Sequence, residues 1–139
     1  MRITKMDHIA IAVKDLQGSI ARWVKALGMV AGEVEDLPER GVRLCKMQAP
    51  GNPALELMSP LGDESTVARF LTDHGEGIHH FCFEVQDIEK SLEQLKQGGV
   101  SLIHERPVSG AGGSRIAFIH PSSFNGVLIE LIEKSRRQG

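Results

Sequence analysis

The sequence predicts an α+β chain in which two tandem βαβββ modules form a half-closed mixed β-barrel around a metal site. Three observations predict this fold: an apolar strand that opens with histidine occurs twice, each copy continues into a helix that follows an aspartate, and each closes with an apolar strand that carries a glutamate. The paired residues are His8 with His80 and Glu56 with Glu130. A pattern that recurs at a nearly constant spacing indicates a duplicated structural unit.

Length, charge and cysteine content limit the class of protein. The 139 residues correspond to one domain, so residues 1–139 are predicted to form a single domain, with module 1 at about residues 4–60 and module 2 at about 77–133. A net charge of −2 gives no reason to expect a nucleic acid or a membrane surface as partner. The two cysteines are too few for a disulfide framework. We therefore expect a cytoplasmic protein, or one of the mitochondrial matrix if a transit peptide precedes this sequence.

The first module starts with the apolar strand at residues 7–13 and continues into a helix. Asp15 is the predicted N-cap, because its carboxylate can accept hydrogen bonds from the first helical amides. Apolar residues then recur at helical spacing until Gly28 ends the helix. Shorter strands are predicted at residues 30–34, 42–47 and 54–58, with a turn at residues 50–53 before the last of them.

The second module repeats this order. Its first strand covers residues 79–85, Asp87 is the predicted N-cap, and the helix is expected to end at Gly98. Three further strands are predicted at residues 101–105, 115–119 and 127–132. The segment that joins the modules contains a short predicted helix at residues 65–71.

Two histidines and two glutamates at equivalent places in a repeat can converge on one point if the modules pack around a pseudo-two-fold axis. A single histidine at a strand end is more often structural, and a single strand glutamate could face solvent. Glu130, however, lies in a run of apolar residues that is expected to be buried, and an unpaired buried carboxylate is expensive. The four residues together predict a binding site for a divalent metal.

These motifs resemble the vicinal oxygen chelate superfamily and, within it, the family of methylmalonyl-CoA epimerases. The resemblance covers nearly the whole chain. The opening strand DHIAIAV is shared widely in the superfamily, whereas the other segments are more particular to the epimerases. The matching segments are DHIAIAV at residues 7–13, LMSPLGDES at 57–65, GIHH at 77–80, FIHP at 118–121 and GVLIEL at 126–131.

The resemblance implies a metal-dependent isomerase that epimerises methylmalonyl-CoA by 1,1-proton transfer through a metal-stabilised enolate. A divalent cation bound to the thioester oxygen would act as a Lewis acid. The resemblance assigns four metal ligands: His8, Glu56, His80 and Glu130. Imidazole and carboxylate donors suit Co²⁺, which is the expected ion, with Mn²⁺, Ni²⁺ or Zn²⁺ as alternatives.

The resemblance also implies the acid/base residues. Glu130 matches the position that serves both as ligand and as acid/base, whereas a second glutamate of one epimerase pattern is replaced here by Leu44. We therefore expect Glu56 to act as the second acid/base. Three further residues are predicted to contact the acyl-CoA substrate: Ser114, Arg115 and His120.

Two other functions remain open at the level of sequence. Glyoxalase I, or lactoylglutathione lyase, uses the same ligand set on a glutathione hemithioacetal, and non-catalytic binding proteins share the fold. An extradiol dioxygenase is less compatible, because such enzymes usually need further catalytic histidines or tyrosines and the chain has no tyrosine. We expect a homodimer, since cyclic dimers are the commonest assemblies of small domains.

Overall fold

The computed structural model of the protein describes residues 1–48 and 53–135. The chain divides into two units, each described by itself. Residues 8–79 form one, called the N-terminal unit here, and residues 1–7 together with 80–139 form the other, called the C-terminal unit. The turn predicted at residues 50–53 lies outside the described residues except for Pro53. No helix in the described ranges is long and apolar enough to cross a membrane.

The N-terminal unit contains a four-stranded sheet in the order β2-β3-β4-β1. Strand β1 runs parallel to β4, and the other neighbours are antiparallel. The unit takes only residues 8–12 of β1. Its elements are β1 (Ile3–Ala12), α1 (Leu16–Leu27), β2 (Val30–Leu37), a 3₁₀ turn (Pro38–Arg40), β3 (Val42–Gln48), β4 (Ala54–Pro60) and α2 (Thr66–His74).

The C-terminal unit repeats this arrangement with the strand order β5-β8-β7-β6. Strands β5 and β8 are parallel, and the remaining pairs are antiparallel. The unit takes only residues 80–85 of β5. Its elements are β5 (Gly77–Val85), α3 (Ile88–Gln97), β6 (Val108–Ser109), a 3₁₀ turn (Ala111–Gly113), β7 (Arg115–Ile119), a 3₁₀ turn (Pro121–Ser123) and β8 (Ile129–Glu133). The predicted α+β fold of two tandem βαβββ modules is confirmed.

The helix boundaries follow from local capping. Asp15 accepts a hydrogen bond from the Gly18 amide, and Asp87 accepts one from the Lys90 amide, as the N-cap predictions required. Gly28 ends α1 in the left-handed conformation, with φ of 70°. The short helix predicted in the linker forms as α2, one residue after its N-cap Ser65.

Each unit packs its long helix against one face of its sheet. In the N-terminal unit the buried apolar cluster consists of Val13, Leu16, Cys45, Met47 and Leu57. In the C-terminal unit it consists of Val85, Ile88, Leu92, Ala117, Ile119 and Leu131. Because strand side chains alternate between faces, the residues next to these positions point to the opposite face of each sheet.

The predicted strand at residues 101–105 is wrong. The described residues show only an isolated bridge between Leu102 and Ile119 there, and the edge strand is instead β6. The His104 side chain explains the difference, since its Nδ1 accepts the hydrogen bond from the Phe118 amide at 3.0 Å. A side-chain acceptor thus takes the place that a strand carbonyl would fill.

The first residues of β1 are fastened within the C-terminal unit. The Thr4 hydroxyl lies 3.2 Å from the Glu84 carbonyl oxygen and 3.0 Å from the Glu84 carboxylate. The Lys134 ammonium lies 2.6 Å from the buried Asp7 carboxylate, and this hydrogen bond raises the pKa of Lys134. The chain start is therefore an integral part of that unit.

We expect Gly41→Ala to lower the free energy of unfolding by more than Gly28→Ala. Both glycines have φ near 70°, where an L-residue costs about 1–2 kcal/mol. A Cβ at Gly41 would also come within 2.8 Å of the Ser65 Cβ, whereas a Cβ at Gly28 has nothing within 4 Å. Urea unfolding of the two variants measures the difference, and equal losses would contradict a steric contribution at Gly41.

Candidate functional site

The predicted histidines and glutamates occupy the same register positions in the two units. In the N-terminal unit Ala10 lies opposite Glu56 in the parallel pair β1/β4, and His8 precedes Ala10 by two residues. In the C-terminal unit Cys82 lies opposite Glu130 in the parallel pair β5/β8, and His80 precedes Cys82 by two residues. Residues two apart on a strand share a face. Each unit therefore places one histidine and one glutamate on the same face at the same offset.

The side chains of each pair are close together and buried. His8 Nε2 lies 3.7 Å from Glu56 Oε2, and the two residues are 4% and 6% exposed. His80 Nε2 lies 3.0 Å from Glu130 Oε1, with exposures of 3% and 4%. The second distance is that of a hydrogen bond, whereas the first is too long for one. Each pair therefore brings a ring nitrogen and a carboxylate oxygen close to each other.

Alternation along the strands explains why these polar side chains are turned away from the helix-packed cores. Leu57 and Leu131, which follow Glu56 and Glu130, belong to the apolar clusters beneath α1 and α3. The glutamates therefore point to the other face of their sheets. A shift of one residue in the pairing of either strand would turn the carboxylate into the core and the leucine out of it.

The donor chemistry of each pair fits a divalent metal. A carboxylate is rarely buried unless a cation or several hydrogen-bond donors compensate for its lost hydration. Imidazole nitrogen and carboxylate oxygen are the donors that borderline divalent cations prefer. Each unit supplies one donor of each kind on a buried face, so the residues present are compatible with the predicted metal ligands.

The two pairs have different neighbours on the adjoining strands. In the antiparallel pair β3/β4, Lys46 lies directly opposite Glu56, and the buried Leu44 lies opposite Met58. In the antiparallel pair β7/β8, Phe118 lies opposite Glu130. Its ring meets the His80 ring edge-on, with centroids 5.2 Å apart. The sequence reasoning did not single out Lys46 or Phe118, because their placement follows only from the antiparallel register.

Two of the predicted substrate-binding residues make hydrogen bonds within their own turns. The buried Ser114 donates a hydrogen bond from its hydroxyl to the Ala111 carbonyl at 2.7 Å. The exposed His120 caps a 3₁₀ turn by accepting the Ser122 amide hydrogen bond at its Nδ1, at 3.0 Å. Neither contact tests a role in substrate binding, so that role stays a prediction.

Arg115 lies on the face of β7 that is turned away from Glu130. It pairs with Glu133 in the register of β7/β8, and its guanidinium donates to Glu89 at 2.9 Å and to Glu133 at 2.8 Å. Glu133 also accepts the Ile88 amide hydrogen bond at 3.0 Å. Arg115 thus links the start of α3 to the sheet, and its predicted contact with substrate stays untested.

A cleft in the N-terminal unit is lined by none of the predicted site residues. Its volume is about 550 Å³, and its lining comes from residues 39–41 and 61–66. Three carboxylates and one guanidinium line it, so its charge disfavours an anionic ligand such as the phosphates of an acyl-CoA. We place no substrate contact there.

Comparison with known proteins identifies the family. Residues 7–118 match the Glyoxalase/Bleomycin resistance protein/Dioxygenase superfamily, and the chain belongs to it. The chain is 40% identical to the ethylmalonyl-CoA/methylmalonyl-CoA epimerase of Cereibacter sphaeroides over 131 residues, which are 93% of this chain and 97% of that protein. The predicted resemblance to the epimerases is thereby confirmed.

Solved structures of epimerases are similar over the same length. The methylmalonyl-CoA epimerase of Mycobacterium tuberculosis is 37% identical with a TM-score of 0.91, and the similarity covers 96% of this chain and 90% of that one. A variant of the Streptomyces coelicolor enzyme, in complex with 2-nitronate-propionyl-CoA, is 31% identical with a TM-score of 0.92, covering 97% of this chain and 100% of that one.

The interaction between Glu133 and Arg115 predicts a pH dependence of stability. Burial alone would raise the pKa of Glu133, but the hydrogen bonds from Arg115 and the Ile88 amide outweigh it and hold the pKa below its ordinary 4.5. The ionised group therefore stabilises the fold above pH 4.5, and this contribution is lost as the pH falls below that value. We expect Glu133→Gln to be less stable than wild type at neutral pH, with a gap that narrows in acid.

Urea unfolding at a series of pH values measures this gap. Glu89→Gln is the matched control, because Glu89 contacts the same guanidinium but its side chain is 66% exposed. A surface pair of this kind contributes little, so the control gap is expected to be small. If the difference in free energy of unfolding between wild type and Glu133→Gln stayed constant from neutral pH to well below pH 4.5, the ionised Glu133 would not be the stabilising group.

Proposed function

We propose that this member of the glyoxalase superfamily is an isomerase that epimerises methylmalonyl-CoA by 1,1-proton transfer. The observation that carries the proposal is the repeated, buried histidine–glutamate pair, found at the same register position in both units of a chain whose relatives bear the epimerase name. The acyl-CoA thioester is the substrate class, and the 139 residues act as one domain with both modules contributing.

We further propose that His8, Glu56, His80 and Glu130 together hold one divalent metal. Co²⁺ is the first candidate, with Mn²⁺, Ni²⁺ or Zn²⁺ as alternatives, because all four ions accept imidazole and carboxylate donors. When bound, the cation supplies Lewis-acid stabilisation of negative charge on the thioester oxygen. Burial of all four side chains supports the proposal, since burial strengthens the attraction between carboxylates and a cation.

Two carboxylates are proposed to move the proton. One takes the proton from the carbon between the thioester and the free carboxylate, and the other, in its protonated form, delivers a proton to the opposite face of that carbon. Glu130 and Glu56 fill these roles. The side chain at Leu44 cannot exchange a proton. Glu35 lies opposite Leu44 on β2 but is exposed, whereas Glu56, on the same face of the neighbouring β4, is buried beside His8.

The remaining substrate contacts are proposed at the loop before β7 and the turn after it. Ser114 and His120 would contact the acyl group through their hydroxyl and imidazole. Arg115 would have to exchange Glu89 or Glu133 for the substrate, since both now accept hydrogen bonds from its guanidinium. We also propose a homodimer that works in the cytoplasm, or in the mitochondrial matrix.

The first experiment incubates the Co²⁺-loaded protein with one epimer of methylmalonyl-CoA in deuterium oxide. We expect deuterium at the α-carbon and loss of stereochemical purity, and both should stop when a chelator removes the metal. The glutathione hemithioacetal of methylglyoxal serves as the control substrate and should not be converted. Conversion of the hemithioacetal without exchange of the methylmalonyl thioester would instead support glyoxalase I. Metal-independent ligand binding without any exchange would support a binding protein.

Glu56→Gln and Glu130→Gln test the two-carboxylate scheme. Each should abolish epimerisation and yet allow α-proton exchange in one epimer with retained configuration, because one face keeps its carboxylate. The epimer whose α-proton is exchanged by Glu56→Gln should be the opposite of the epimer exchanged by Glu130→Gln. Metal content is measured alongside, since a glutamine amide oxygen can still coordinate a cation.

Glu105→Gln is the control, because Glu105 makes a surface pair with Lys96 at 2.8 Å. It should behave as wild type. Full epimerisation by metal-loaded Glu56→Gln would remove Glu56 from the mechanism. Loss of exchange in both epimers by either metal-loaded variant would contradict separate roles for the two carboxylates.

A further inference from the structure

Lys46 occupies a position beside the proposed acid/base Glu56. The two residues lie directly opposite each other in the antiparallel pair β3/β4. Side chains opposite each other in such a pair share a face, with Cβ atoms about 5 Å apart. The neighbours of Lys46 on its strand, Cys45 and Met47, are buried in the cluster beneath α1, which places Lys46 on the Glu56 face.

The ammonium group of Lys46 is available to a ligand. Lys46 is exposed, and among the described residues it takes part in no ion pair or side-chain hydrogen bond. Arg43, on the same strand, lies on the opposite face and is already paired with Asp36 at 2.7 Å. Arg43 therefore cannot replace Lys46 as a cation on the Glu56 face.

Lys46 borders an apolar patch as well as two carboxylates, since Glu56 lies opposite it on β4 and Glu35 lies opposite Leu44 on β2. Leu44, which precedes it by two residues on the same face, is 4% exposed, and Met58 opposite Leu44 is also 4% exposed. An ammonium group at the border of such a surface interacts more strongly with an anion than one surrounded by water. A ligand that placed a carboxylate there would form a charge-assisted hydrogen bond.

The proposed substrate has such a group next to the reacting carbon. Methylmalonyl thioesters carry a free carboxylate on the carbon whose proton is moved, whereas the phosphates of CoA lie at the far end of the pantetheine arm. Resting on the proposed function, we propose that Lys46 is a specificity-determining residue that binds the free carboxylate of the acyl group. It thereby selects dicarboxylic thioesters over their simple alkyl counterparts.

The same contact would assist the proton transfer. Removing the α-proton develops negative charge beside a carboxylate that is already negative, and the two charges repel each other. An ammonium group at the free carboxylate offsets that repulsion. Lys46 would therefore influence substrate affinity and, to a smaller degree, turnover, while Glu56 and Glu130 move the proton.

Binding of malonyl-CoA and propionyl-CoA to the metal-loaded protein tests the proposal without requiring turnover. Propionyl-CoA has a methyl group where malonyl-CoA has the carboxylate, so the ratio of their dissociation constants reports the carboxylate contact. We expect Lys46→Met to reduce the preference for malonyl-CoA by about tenfold, the size of a charge-assisted hydrogen bond. Lys46→Arg should keep most of the preference.

Lys25→Met is the matched control, because it removes the same charge from the last turn of α1 and should leave the preference unchanged. An unchanged preference in Lys46→Met, or an equal loss of both ligands, would overturn the role of Lys46. If α-proton exchange of methylmalonyl-CoA persisted in that case, the proposed function would stand. A wild-type protein that neither exchanges the proton nor prefers malonyl-CoA would overturn both.

Discussion

The burial of two glutamates is the constraint on which the rest of this structure depends. A carboxylate removed from water needs compensation, and Glu56 and Glu130 each have a histidine beside them and a strand leucine after them. Strand alternation then places the apolar residues of each sheet against a helix and the histidine–glutamate pair on the opposite face. The stability of the cores and the position of the donors are therefore set by the same register.

Much of this arrangement was predictable because it is local or repeated. Asp15 and Asp87 cap their helices as expected, since capping depends on a few neighbouring residues. The strand predicted at residues 101–105 failed for the opposite reason. His104 places a side-chain acceptor in the ladder, and its partner Phe118 is distant in sequence. Patterns of hydrophobicity do not reveal such competition between side chain and backbone.

The residues of the candidate site also fall into those that the sequence pattern identifies and those that it does not. His8 and His80 were identifiable from the repeated strand, whereas the position of Lys46 depends on the register of β3 against β4, which sequence periodicity does not fix. Arg115 illustrates the converse limit. Its predicted contact with substrate rests on the resemblance to the epimerases, whereas the face on which it lies depends on strand phase, and its guanidinium links the start of α3 to the sheet.

The division of β1 between two units has a consequence for the order of folding. Residues 8–79 are continuous in sequence, so every contact within this unit is possible once residue 79 has been synthesised. The other unit is discontinuous, because Thr4 contacts Glu84 across 80 positions and the Asp7 carboxylate pairs with Lys134. Synthesis would thus leave residues 1–7 without these native neighbours until Lys134 has been added. A circular permutation that joined them to residues 80–135 would make that unit continuous and remove the delay.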